Sequence, residues 1–542
     1  MLDLIKHLPL MAAKWIEPNL RQFWNTRQPQ SWLLALVIGL TVSVAAIIFR
    51  VMIGYVQYLW LGDNSENVAT VASGQPWYIV LVAPIIGGAV VGFFLVHLLP
   101  LKRALGVADV IEARAYGGRN IDIKAAIYSA LATIISLGSG ASAGREGPMV
   151  HLGAAISTAF SNIFNMPKWS DRTLLACGVA SAVSASFNAP LAGVLFAHEV
   201  ILGHYSMRAF VPIVISSVSG TIFSRLYFGS AAAFNIPQYQ ITSLWEFPAF
   251  VLLGVICALV AVLFQFSIIS SEQMARRIQM PLWFRPIIGG AIVGSIGIFL
   301  PEILGVGYEA TDKALTNKLP LLLMFILIIV KTIATSITLA SRFGGGVFSP
   351  ALYLGAMTGG TFGLIAAAIS PQLASSEGLY AILGMGAVAA AVLGAPISTT
   401  MIVFELTGGY GLTIALLLVV SISNGITNAI HGKSLFQWQL EMRGLFLHDG
   451  PHHHVMKSKK VMDFMTLLKD GEKDVIEEDK PRLRPTDSLE FALRIFDSGH
   501  GLNLPVVDEN DGKTLIAWAS QVEALSYYNA ALVESIDEAH HH

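Results

Sequence analysis

Three observations predict the fold class of this chain: its composition, the uneven lengths of its apolar segments, and an internal repeat. Together they give an all-α polytopic membrane protein of two repeats with broken helices, followed by a small C-terminal α/β domain. Of the 542 residues, 13% are charged and 54% hydrophobic, and the mean hydropathy is +0.63. Soluble domains carry about a quarter charged residues, so this composition excludes an ordinary cytosolic enzyme, a disordered chain and a nucleic-acid binder. The net charge of −2 averages a membrane body with a polar tail and adds little. Cys177 and Cys257 both lie in apolar stretches and offer no disulfide framework.

The elements follow in order. Residues 1–30 carry Lys6, Lys14, Arg21 and Arg27 with Trp15 and Trp24 between them. There is no uninterrupted apolar core and no small-residue cleavage site, so this segment reads as an amphipathic cytoplasmic surface helix. The first membrane repeat is expected over 31–240 and the second over 241–450. Full-length crossings are predicted at Trp32–Trp60, Trp77–Leu99, Phe247–Ile269 and Leu319–Leu339, each reaching or exceeding the roughly 20 residues a bilayer requires. Ile123–Leu137, Leu174–Ala185 and Ala381–Leu393 are shorter and cut or bounded by Gly. Such segments predict helices that end inside the membrane. Residues 451–542 turn polar and form the tail, with a helix at Ser488–Phe496 capped by Ser488, a buried strand at Asn503–Asp508, the strand LIAWAS and a final helix from Gln521.

The repeat is carried by three matches. PIIGGAVVG at Pro84–Gly92 returns as PIIGGAIVG at Pro286–Gly294, an offset of 286 − 84 = 202. GREGP ends at Pro148 and GVFSP at Pro350, again 350 − 148 = 202. NAPLAGVLFAHE (Asn188–Glu199) answers GAPISTTMIVFE (Gly394–Glu405), each with a Glu nine residues after the Pro, at 396 − 190 = 206. Duplicated halves with broken helices mark transporters and channels whose site lies at the repeat interface near the midplane.

In the first half, GREGP places Arg145 and Glu146 inside an apolar region, where ionisable residues are costly and point to function. Gly144 and Gly147 allow close backbone approach. Pro148 suits the first turn of a helix whose free amides attract an anion. That anion is either a solute or the Glu146 carboxylate itself, which makes a switch operated by protonation or by a competing anion. A plain Arg145–Glu146 structural pair is the other reading. In the second half, Val347, Phe348 and Ser349 precede a helix expected to start near Pro350 and can present backbone amides. Arg342 reads as a helix-end anchor. A cation site would need carboxylates or a carbonyl cage, and neither pattern is present.

GREGP at 144–148, GVFSP at 346–350, FNAPLAGVLF at 187–196 and APISTTMIVFELTGGY at 395–410 together resemble the CLC chloride channel and proton/chloride exchanger family, over roughly residues 30–445. The resemblance implies inverted-topology halves, a homodimer with one anion path per subunit, and Glu146 as the gating glutamate with Arg145 and Gly147 beside it. It implies that the amides of Val347 and Phe348 hold the central anion. The family's Gly-Ser-Gly-Ile-Pro motif aligns with ALGVADVIEA (Ala104–Ala113), so Leu105 stands at the anion-binding serine, followed by Gly106. Phe436 in GKSLFQW stands at the partner tyrosine. Both hydroxyl ligands are therefore missing, which predicts weaker central occupancy, since each neutral hydrogen bond contributes about 1 kcal/mol.

The internal proton-transfer glutamate is replaced by Val200, directly after Glu199. This favours a channel or uncoupled conductor, with coupled proton/chloride exchange as the alternative. His151 and His198 read first as structural histidines. The tail resembles a single CBS-type unit, for which weak adenine-nucleotide binding and a purely structural cap are both open. The expected partners are chloride and other small anions, protons, the lipid bilayer and a second copy of the chain, and no nucleic acid. No cofactor or metal is expected, and no nucleophile–base pair or phosphate loop suggests an enzyme. Both termini are expected in the cytoplasm, with the plasma (inner) membrane as the location if the source is prokaryotic.

Overall fold

The computed structural model describes residues 16–115 (except 20 and 22), 121–229, 243–372, 375–407, 410–445, 459–468, 481–498, 501–509 and 514–540, with 234, 239, 241 and 456. Most of the expected N-terminal surface helix, with Lys6, Lys14 and Trp15, lies outside the described residues, as do His452–His454. The chain divides into two compact units, residues 1–436 and 437–542.

The first unit is helical. Its long helices are α1 (Gln28–Leu61), then after a short α2 (Val68–Ser73), α3 (Trp77–His97). A nine-residue α4 (Val107–Ala115) and α5 (Ile123–Gly138) lead to α6 (Glu146–Ile163) and α7 (Lys168–Phe187). The seven-residue α8 (Pro190–Phe196) runs into a π-helical turn at Ala197–Leu202, and α9 (Met207–Phe228) closes the half. The second half comprises α10 (Phe247–Arg277), α11 (Arg285–Phe299), the eight-residue α12 (Tyr308–Leu315) and α13 (Leu321–Ala340). It continues with α14 (Phe348–Ile369), α15 (Glu377–Leu393), α16 (Pro396–Thr407) and α17 (Thr413–His431), and α18 (Leu435–Glu441) starts in it and ends in the second unit. Among the described residues, eight helical segments are long and apolar enough to cross a membrane, while Ile123–Gly138, Pro190–Leu202 and Glu377–Leu393 are shorter.

The halves meet through reciprocal contacts at the repeated motifs. In α3 and α11, a side chain on Gly88 would run into the Pro286 carbonyl, and one on Gly290 into the Pro84 carbonyl. The Gly144 amide donates to the Gly346 carbonyl at 2.7 Å and the Gly346 amide returns to the Gly144 carbonyl at 2.7 Å, in an antiparallel bridge. Glu199 accepts from the amides of Ile397 (3.0 Å) and Ser398 (2.7 Å) at the start of α16. Glu405 accepts from Leu191 (3.0 Å) and Ala192 (2.8 Å) at the start of α8. Each repeat thus supplies the carboxylate that satisfies the free amides of the other's short helix, in place of the local cap a soluble helix uses.

A cap of this kind is worth about 1–2 kcal/mol. Glu199→Ala and Glu405→Ala are each expected to lower the unfolding midpoint of the purified protein, with Glu199→Gln intermediate. An unchanged midpoint in Glu199→Ala would show that α16 is held by other contacts.

The second unit contains a three-stranded antiparallel sheet of order β1 (Thr466–Leu467), β3 (Leu515–Ser520), β2 (Asn503–Val507). Helices α19 (Leu489–Asp497) and α20 (Gln521–His540) complete it. The Ser488 hydroxyl accepts from the Phe491 amide, capping α19 as expected. Val461, Leu483, Phe496, Val506 and Ala517 form the core beneath.

Candidate functional site

Helices α6 and α14 begin beside one another because GREGP and GVFSP are joined by the Gly144–Gly346 bridge. The approach is close: a Cβ on Gly346 would sit 3.0 Å from the Gly147 nitrogen. The first turn of each helix has amides without intrahelical partners, and the helix dipole adds positive potential there. Glu146, the first residue of α6, turns its carboxylate into this junction and is only 2% exposed.

Two hydroxyls hold it. Tyr308 Oη donates to Glu146 Oε1 at 2.8 Å, and Ser349 Oγ donates to the same oxygen at 2.6 Å. Arg145 Nε lies 3.9 Å from that oxygen. The buried Oε2 has no hydrogen-bond partner among the described residues. Phe348 packs its ring on Phe187 and Phe196, with centroids 5.0 and 6.2 Å away, which fixes the start of α14 from behind.

Outside the junction, a cavity of about 410 Å³ is lined by residues including Arg50, Glu66, Arg145 and Tyr308. Glu66 Oε1 bridges two guanidinium groups, 2.9 Å from Arg50 Nη2 and 2.9 Å from Arg145 Nη1. Burial alone would raise the Glu66 carboxyl, but the charges and hydrogen bonds of Arg145 and Arg50 outweigh it and hold it below the usual carboxylate range. Its ion pairs therefore persist through mild acid and are lost only as pH falls through that lowered value.

The structure brings Glu146, Arg145, Gly147, Val347, Phe348 and Ser349 into one junction. Leu105 and Gly106 sit differently. The Leu105 amide donates to Ser129 Oγ at 2.7 Å, and the Gly106 amide to Asp109 Oδ2 at 2.8 Å. Asp109 is further held by Arg103 Nη1 at 3.0 Å, so these two amides serve intramolecular acceptors. Phe436 is buried at the start of α18. Val200 is half-buried on the π-helical turn. Arg342 lies 3.8 Å from Glu272, in keeping with an anchor. Tyr308, Glu66 and Arg50 were not picked out by sequence motifs. Arg50 left a signal, as the one charge in the apolar α1 segment; Tyr308 left none beyond the flanking Gly305 and Gly307.

Fold and site together define a multi-pass membrane protein with a carboxylate seated between two helix N-termini at the interface of its repeats. Residues 87–428 match the family model described as voltage gated chloride channel. The chain is 31% identical over 389 residues to a putative chloride channel protein ClcB-like from Ralstonia nicotianae, spanning 71% of this chain and 90% of that protein. It is 29% identical over 409 residues to the voltage-gated ClC-type chloride channel ClcB of Escherichia coli, spanning 75% and 97%. Among solved structures it is similar to a slow cyanobacterial Cl−/H+ antiporter, with TM-score 0.68, 21% identity and coverage of 77% and 98%. A eukaryotic CLC transporter gives TM-score 0.66 and 19% identity, covering 93% of this chain and 89% of that one. The chain belongs to the CLC family of voltage gated chloride channels, and has that family's inverted-topology fold.

Proposed function

We propose that this protein carries chloride, and other small anions, across the membrane along a path lined by the N-termini of α6 and α14 and gated by Glu146. The observation that carries this reading is the Glu146 carboxylate itself: a negative charge already occupies the junction, held by Tyr308 and Ser349. Protonation or displacement of Glu146 leaves that seat to a solute anion. The relatives from Ralstonia nicotianae and Escherichia coli carry chloride channel names, which supports chloride as the anion.

Conduction without proton coupling is the reading we favour. Val200 offers no proton acceptor, and the neighbouring Glu199 carboxylate is committed to the Ile397 and Ser398 amides. One observation favours coupled exchange instead: His198, beside Val200, has a buried Nε2 without a partner among the described residues. Chloride efflux from proteoliposomes with simultaneous external pH recording separates the two. Efflux without stoichiometric proton movement supports the channel; efflux that drives protons uphill means exchange; no chloride flux ends the transport reading. We further read the protein as a homodimer with one path per subunit and cytoplasmic termini. The tail, read as a single CBS-like unit, would then pair with that of the second subunit, either as a structural cap or as a weak adenine-nucleotide site.

A further inference from the structure

We propose that Tyr308 and Ser349 are the hydroxyl ligands of the conducted anion, at the position now filled by Glu146 Oε1. This inference rests on the anion-path reading above and assigns the ligands within it. The two side chains come from different helices of the second repeat and converge on one point. Their hydroxyls lie 2.8 and 2.6 Å from Glu146 Oε1 and 3.4 Å from each other. Both residues are buried, Tyr308 to 6% and Ser349 to 1% exposure.

Neither group is held there by accident of packing. Tyr308 opens α12 directly after Gly307, which adopts φ 88°. The preceding loop is pinned by Lys331, whose buried Nζ donates to the carbonyls of Ile303 (2.9 Å) and Gly305 (3.1 Å). The Tyr308 ring is fixed on one side by Arg145, with Cζ 4.7 Å from its centroid, and on another by Phe234 at 5.1 Å. Ser349 is fixed by the first turn of α14. A hydroxyl that donates to a carboxylate oxygen can donate to a halide in its place. When Glu146 leaves, two buried donors lose their acceptor, and an incoming anion restores it, as an unmade hydrogen bond in a buried site is costly. Hydroxyl recognition that is absent at Leu105 and Phe436 is thereby supplied next to the Arg50–Glu66–Arg145 cavity.

The test is chloride binding by titration calorimetry to purified full-length Glu146→Ala, in which the seat is vacated. Tyr308→Phe and Ser349→Ala are added singly and together, with Tyr353→Phe, a buried tyrosine facing Lys331, as the control. Hydrogen bonds to a charged partner are among the stronger ones, so each hydroxyl removed is expected to weaken chloride binding about tenfold, and both together roughly a hundredfold. Tyr353→Phe is expected to change nothing. Unchanged chloride affinity in the variant lacking both hydroxyls overturns the assignment while leaving the anion path intact. Absence of chloride binding in Glu146→Ala, with no flux from the parent, defeats the path reading itself. Ser349→Ala removes a single oxygen, so it carries the test even where the combined variant does not fold.

Discussion

At neutral pH, proteoliposomes containing Glu146→Ala are expected to release chloride at least about tenfold faster than the parent. In the parent, release is expected to accelerate as the outside is acidified, and in the variant this response disappears. Glu146 and the anion compete for one seat. Glu146 Oε1 is held by two charge-assisted hydrogen bonds, each worth about 1.5–3 kcal/mol, and its tether gives it a high effective concentration that a free ion lacks. Removing the tethered carboxylate removes the stronger competitor. Glu146→Gln, which keeps the size but loses the charge, is expected to conduct at a rate independent of pH. A Glu146→Ala flux that stays slow and pH-dependent would place the gate elsewhere.

The second large effect concerns the scaffold. Helices α14 and α15 cross with their backbones in contact: a side chain on Gly355 would run into the Gly384 carbonyl, and one on Gly384 into the Gly355 carbonyl and to 2.8 Å from the Gly359 nitrogen. Small residues permit such approach in the membrane, where packing replaces the hydrophobic drive between helices. Gly384→Val is expected to cost at least about 3 kcal/mol, the upper end of ordinary overpacking, because backbone and not a flexible side chain must yield. The variant should lose its monodisperse peak in size-exclusion chromatography. Gly425 in α17 has nothing within 4 Å of a built Cβ, so Gly425→Ala is expected to fold normally, and even gain up to about 1 kcal/mol from helix propensity. A well-folded Gly384→Val would mean that the two helices can part without losing the fold. Because α14 carries Phe348 and Ser349, any such parting should also weaken the junction with α6.

The repeat was legible in the sequence because duplication kept the residues that touch across the interface. The glycines of PIIGG, the GREGP and GVFSP turns and the glutamates nine residues after each proline all form reciprocal contacts. What the sequence did not disclose depends on distant pairings. Tyr308 belongs to no motif and acts through a side chain delivered by a Lys331-pinned loop. Leu105 and Gly106 align with an anion-binding segment, yet their amides are taken by Ser129 and Asp109, a competition visible only in three dimensions. Helix α7 starts at Lys168, earlier than the apolar stretch from Leu174, because hydropathy marks burial in the membrane and not the helix itself.

The central claim is that Glu146 and the conducted anion share one seat between α6 and α14. It is tested most directly by anomalous diffraction from crystals of the parent and of Glu146→Ala grown in bromide. A bromide peak is expected in Glu146→Ala within hydrogen-bond reach of Tyr308 Oη and Ser349 Oγ, and no peak at that point in the parent at neutral pH. Bromide at that point in both proteins, or in Glu146→Ala only at a position remote from both hydroxyls, would contradict it.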